Sequence, residues 1–296
     1  MKIIDAHHHL WAPQTPALDI GYVWIKDIGA MKPFGDPTPI QRDYLLDELL
    51  AETKDMPLSG SVHVQADQKI PDPVKETGFV QKMSDDSGHP IMIIGYADLA
   101  SAAFEAQIVG HKAYPNMRGI RQIISHLPTR PELSFVAENF LDSPLWRENF
   151  AALGEHGLSF DLMLYPEQMQ QAAELFADHP EVPVVINHLG SPYDTSADGL
   201  ALWREGMAAL AQLRHVSVKL SGYAMYFGPS LNGMPQQVTA DIMAMFGAER
   251  AMWGSNFPVD KLHLIYPEVR DFVRAEVGQR AESAVFYDNV HRFYRF

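Results

Sequence analysis

Eight short apolar runs recur along the chain, and strand-like and helix-like stretches alternate throughout. The runs cover residues 3–7, 60–65, 91–96, 117–124, 158–164, 182–188, 215–220 and 251–255. Several are continuously apolar, as in Ile91-Met92-Ile93-Ile94 and Val184-Val185-Ile186. That pattern belongs to strands buried on both faces, the condition of a parallel sheet. Helices are expected at 42–51, with Leu45, Leu46, Leu49 and Leu50 on one face, and at 145–156, opened by Ser143-Pro144. Further helices are expected at 166–178, 200–213, 235–246, 267–277 and 282–293. The alternation predicts an α/β protein, a (β/α)8 TIM barrel in one domain over residues 1–296. An open doubly wound sheet is the runner-up; no Gly-x-Gly-x-x-Gly follows the first strand to support it.

The first strand runs directly into His7, His8 and His9. Alternation along a strand puts His7 and His9 on one face and His8 on the other. Two imidazoles so placed converge on one point, which suits a metal ion or a polarised carbonyl.

Residues 12–41 interrupt the repeat. They contain Pro13, Pro16, Pro33, Pro37 and Pro39 together with Tyr22, Trp24 and Phe34. A long loop inside a compact chain is usually functional, and Tyr22-Val23-Trp24-Ile25 is too apolar to stand in solvent. A lid over the barrel mouth is expected, with Trp24 against substrate; a contact in a homo-oligomer is the alternative. Inserts at 191–199 and 222–234 also follow strands and fall at the same end.

Composition excludes several classes. The chain has 23 basic and 37 acidic residues, a net charge of −14, and no basic run, so nucleic acid is not an expected partner. It has no cysteine, hence no disulfide, thiolate ligand or cysteine nucleophile. No apolar run reaches the ~18 residues of a membrane span, and no signal peptide is read before Lys2. A cytoplasmic protein with no membrane partner is expected.

The active site of such a barrel lies at the carboxyl ends of its strands. The polar residues expected there are His7 and His9, then His63 and Gln65 on one face of the second strand. Asp98, Arg118, Arg121, Asp161, Tyr165, Asn187, His188, Lys219, Ser221, Ser255, Asn256 and Asp260 follow. Lys219 is the most informative, because lysine is seldom buried unless paired; a salt bridge to Asp161 is its alternative role.

Asp5-Ala6-His7-His8-His9-Leu10-Trp11 resembles the opening of the amidohydrolase superfamily, and more narrowly its lactonase-like group of sugar-lactone, muconolactone and 2-pyrone-4,6-dicarboxylate lactonases. Val64-Gln65-Ala66, Arg118-Gly119-Ile120-Arg121, Asn187-His188-Leu189-Gly190, Val218-Lys219-Leu220-Ser221-Gly222 and Trp253-Gly254-Ser255-Asn256-Phe257-Pro258 are also similar to that group. The resemblance implies a (β/α)8 barrel that hydrolyses a carboxylic ester, usually a lactone. It implies His7, His9 and His188 as ligands of one divalent ion, zinc by preference, in those members that use a metal. Position 256, most often aspartate in that group, is Asn256 here. An amide cannot take a proton from water at neutral pH, so the base is expected to be His188 or Asp260, with Asn256 orienting the water or the substrate. Arg118, Arg121 and Lys219 are expected to hold a substrate carboxylate, with Tyr165 beside them. The oxyanion would gain about 3–4 kcal/mol per good donor. A metal-dependent decarboxylase and a non-catalytic barrel are the competing readings.

Overall fold

The computed structural model describes residues 2–296. All eight expected strands form, as β1 (Ile4–His8), β2 (Gly60–Val64), β3 (Ile91–Gly95), β4 (Met117–Ile120), β5 (Ser159–Leu162), β6 (Val184–Ile186), β7 (Val216–Leu220) and β8 (Ala251–Trp253). Every neighbouring pair is parallel and the spatial order is the chain order. The ends meet where Asn256 N donates to the His7 carbonyl at 2.7 Å and His9 N to the Phe257 carbonyl at 2.8 Å. Gly254 permits that approach: a Cβ there would stand 2.6 Å from His7 Cβ. The result is a nearly closed (β/α)8 barrel.

The helices are α1 (Leu46–Glu52), α2 (Pro73–Ser87), α3 (Phe104–Lys112), α4 (Pro144–Glu155), α5 (Met169–Ala177), α6 (Ala197–Ala211), α7 (Tyr223–Phe227), α8 (Met234–Phe246), α9 (Tyr266–Ser283) and α10 (Asn289–Tyr294). Two of the helices that pack on the sheet, α2 and α3, lie outside the expected set. The signal for α2 is present in Asp72-Pro73, where the Asp72 carboxylate accepts from Val74 N. No comparable cap opens α3. Gly278, at φ 70°, kinks α9 just after residue 277, where the first of the two expected helices ends.

Inside the barrel, Ile4, Ala6, Val62, Val64, Met92, Ile94, Val185 and Met252 pack as one cluster, closed at the amino-terminal end by Val290 and Tyr294. Outside it, the large aromatic residues Trp146, Phe150, Phe160 and Phe176 join helices to strands. Among the described residues no helix is long and apolar enough to cross a membrane.

The strand β1 carries an irregularity that positions the site. Asp5 faces Ser61, but His8 faces His63, so three steps along β1 match two along β2. This is a β-bulge, a device that re-aims a side chain. Ile4 and Ala6 point into the barrel with Val62 and Val64. Without the extra residue the same alternation would send His8 inward. With it, the His7 ring lies 5.1 Å from His9 and 4.4 Å from His188, while His8 turns outward to lie 6.1 Å from His63.

Candidate active site

A cavity of about 360 Å3 opens at the carboxyl ends of the strands. Its floor carries His9, Gln65, Arg121, Met163, His188 and Asn256, and its roof Trp24 and Phe34 from the 12–41 segment. That segment is the expected lid. Asp67, just past β2, pins it: the carboxylate accepts from Val23 N at 2.5 Å and Trp24 N at 3.0 Å. The Trp24 indole donates to the Ala66 carbonyl at 2.6 Å, and Gln41 Nε2 donates to the carbonyls of Trp24 and Asp27.

His188 sits in a run of four residues with left-handed backbone, His188 to Ser191, at φ between 51° and 70°. Three of the four are not glycine, a strained arrangement of the kind concentrated at functional sites. Gly222 makes room for the ring: a Cβ there would lie 2.7 Å from His188 Nδ1. Asn256, at φ 58°, is also left-handed.

Several buried polar atoms around this cavity have no hydrogen-bond partner among the described residues: His7 Nε2, both amide atoms of Gln65, Arg121 Nε and Asn256 Oδ1. Unpartnered buried polar groups are costly, and their convergence marks a place prepared for a polar ligand. Burial holds His7, His9 and His188 well below the usual imidazole range, and neighbouring cations add to it: Lys219 beside His7, Arg121 beside His9 and His188.

The structure redistributes the expected residues. His7, His9, His188, Arg121, Trp24 and Asn256 come together at the mouth. Arg118 does not: it lies at the opposite end, its guanidinium donating to the carbonyls of Tyr294, Pro115 and Met117. It precedes Gly119, which packs against β5, so it stands near the beginning of β4, a strand shorter than expected. Lys219 is fully buried beneath His7 and pairs with Asp161 at 2.5 Å, outside the cavity lining. Asp260 stands behind Asn256, accepting from its Nδ2 at 2.8 Å and from Ala224 N at 3.1 Å; burial lifts its carboxyl to about 7. Tyr165 lines an adjacent cavity. His63 and Gln65 do not share a face: His63 turns to Glu76 of α2, at 4.0 Å, while Gln65 lines the cavity. The alternation fails because β2 ends at Val64.

The donors can be tested against a divalent ion through their tautomers. His9 Nδ1 lies 2.7 Å from the Val64 carbonyl, which only accepts, so Nδ1 carries the proton and Nε2 keeps a lone pair. His188 Nδ1 lies 3.1 Å from Ser221 Oγ, leaving its Nε2 to the cavity. His7 differs. Its Nδ1 lies 3.3 Å from the Lys219 ammonium, which only donates, so Nδ1 accepts and the proton sits on Nε2. A protonated Nε2 is not a ligand. The fourth position is the neutral Asn256, and Arg121 and Lys219 add positive charge. Among the described residues no three His, Cys, Asp or Glu are grouped to hold a metal ion. The residues do not fit a tightly held divalent ion.

A barrel with histidines from β1 and the end of β6 at its mouth defines the class. The chain belongs to the amidohydrolase family, whose model matches residues 4–296. Over 298 residues it is 35% identical to uncharacterized protein y4mH of Sinorhizobium fredii, covering 100% of this chain and 99% of that one. It is 27% identical over 302 residues to an L-fucono-1,5-lactonase of Burkholderia ambifaria, covering 99% and 95%. A solved amidohydrolase of Burkholderia multivorans superposes with a TM-score of 0.81 at 24% identity, over the whole of both chains; it was crystallised with HEPES and with zinc.

Proposed function

We propose that the protein is a lactonase, opening a small carboxylated or sugar lactone by attack of water at the barrel mouth. The observation that carries this reading is the convergence of the Arg121 guanidinium and Asn256 Oδ1 on the cavity that His188 borders, with the unpartnered His7 Nε2 on a ring 4.4 Å from that of His188. The L-fucono-1,5-lactonase relative supports the bond type.

In this scheme His7 Nε2–H and Arg121 donate to the lactone carbonyl oxygen and stabilise the oxyanion that develops there. Asn256 accepts one hydrogen of the attacking water, its amide held in that orientation by Asp260. His188 Nε2 takes the other proton as the new C–O bond forms. It returns that proton to the ring oxygen as the acyl–oxygen bond breaks, giving a hydroxy acid. The hydrogen bonds and Arg121 supply the polarisation that a metal supplies elsewhere, so no step passes through an ion.

The test is a pH-indicator assay of purified protein against aldonolactones, muconolactones and pyrone carboxylates, with and without chelator. Proton release that survives chelation is expected. Release abolished by chelator and restored by zinc would overturn the metal-free scheme. Carbon dioxide release from an aromatic acid, with no lactone hydrolysed, would replace the lactonase by a decarboxylase.

A further inference from the structure

The barrel mouth holds a second cavity of about 300 Å3. Pro33, Phe34, Phe135 and Met225 line both cavities, so the two are compartments of one cleft. The far wall of the second comes from the segments after β5, β6 and β7, as Tyr165, Tyr193 and Tyr226. The Tyr165 and Tyr193 rings meet edge to face at 4.9 Å. Their hydroxyls are already committed: Tyr165 donates to the Leu133 carbonyl at 2.6 Å and Tyr193 to the Glu167 carboxylate. The rings, rather than the hydroxyls, are therefore what these residues offer a ligand. Aromatic surfaces of this kind take another ring or the C–H face of a sugar. The first compartment, near the lower end of the ~300–1,000 Å3 range of small-molecule sites, suffices for a single lactone ring. Arg121, His188 and Asn256 line it, with His7 packed beside His188, so the second compartment has no task in bond breaking.

We infer that the second compartment is a subsite for a second ring carried by the lactone, either glycosyl or aryl. The preferred substrate then has two rings: the lactone beside His188, and its substituent against Tyr165, Tyr193 and Tyr226. This rests on the lactonase reading for the reaction, but the subsite can be read by binding alone.

The experiment is titration calorimetry of the whole protein with pairs of hydroxy acids, the products of lactone opening. One arm compares gluconate with cellobionate; the other compares a simple 5-hydroxy acid with its phenyl-substituted form. At least one substituted acid, which keeps its glycosyl or phenyl ring after the lactone ring has opened, is expected to bind about tenfold more tightly than its open-chain parent, roughly 1.4 kcal/mol. Tyr193→Ala is expected to bring that ratio close to one. A gain in one arm only assigns the ring as sugar or aryl. Equal or weaker binding of both substituted acids by the unaltered protein overturns the subsite. If the substituted acids bind more tightly while no lactone is hydrolysed, the subsite stands and the lactonase reading falls.

Discussion

Asn256 donates from Nδ2 to Asp260 Oδ1 at 2.8 Å and leaves its own Oδ1 buried without a partner among the described residues. The amide is thus held by a carboxylate behind it and presents an acceptor to the cavity. An aspartate at 256 would set two carboxylates within hydrogen-bonding distance, where only one ionises readily. Its charge would also join the lone pair of His9 Nε2 and the cavity-facing Nε2 of His188 in a ligand set. We predict that dialysed wild-type protein retains well under one zinc per chain, while Asn256→Asp binds zinc at least about tenfold more tightly, a difference of ~1.4 kcal/mol. Calorimetry and elemental analysis decide it; stoichiometric zinc that survives dialysis of the wild type would defeat the donor argument.

The contact between Lys219 Nζ and His7 Nδ1, at 3.3 Å, specifies a tautomer. Nitrogen-15 spectra of histidine-labelled protein are expected to show the His7 signal, assigned by its loss in His7→Gln, protonated at Nε2 and bare at Nδ1. The opposite pattern would remove His7 as an oxyanion donor. Turnover in His7→Ala is expected to fall by about 10²–10³-fold, the loss of one such donor.

Lys219→Met would strand the buried Asp161 carboxylate, whose other bonds come from the Tyr294 hydroxyl at 3.1 and 3.2 Å. Breaking one side of a buried pair costs about 3–5 kcal/mol. Chemical denaturation should show a loss of that order, with a substantial part recovered in Lys219→Met/Asp161→Asn. Equal stability of the single variant and wild type would mean the pair is not formed.

Asp67 ties the lid to the barrel through Val23 N and Trp24 N. Asp67→Ala removes both bonds, worth about 1–3 kcal/mol together. Opening of the lid should rise about tenfold or more, read as faster tryptic cleavage after Lys26. KM is expected to rise more than kcat falls, since Trp24 shapes the cavity without joining the chemistry. Unchanged cleavage and KM would show that Asp67 does not hold the lid.

Glu76 is buried between β2 and the lid, accepts from Ala66 N at 3.1 Å, and is pushed up to about 8 by that burial. The folded state keeps a proton that the unfolded chain loses above about 4.5. The Glu76 contribution to stability therefore falls as pH rises through the window from about 4.5 to 8, by up to about 1.4 kcal/mol per pH unit. Buried histidines act in the opposite direction: held neutral, they lose stability below about 6.5. The difference between Glu76→Gln and wild type isolates the carboxyl. The variant is expected to gain melting temperature relative to wild type between pH 5 and pH 8; a difference independent of pH would contradict the shift.

Much of the architecture was legible in the residues themselves. Strands buried on both faces advertise themselves as apolar runs, and a parallel barrel follows from their alternation with helices. The placement of His7 and His9 on one face, and the lid made from a proline- and aromatic-rich loop, were local properties of the same kind. What sequence could not supply was phase and direction. The bulge in β1 is one residue of mismatch against β2, a relation between two strands that neither strand encodes alone, yet it decides that His7 rather than His8 turns toward His9 and His188. Lys219 and Asp161 lie 58 positions apart and become a pair only when β5 and β7 enter one barrel. Arg118 and Arg121 are three residues apart but serve opposite ends of the barrel, because β4 rises about 3.3 Å per residue and Arg118 stands near its start while Arg121 follows its end. Asp260 sits four residues after Asn256, and the left-handed turn at Asn256 folds it behind the amide instead of into the cavity. Residue types and their spacing determined which chemistry was available; the closure of the barrel determined which of those residues meet.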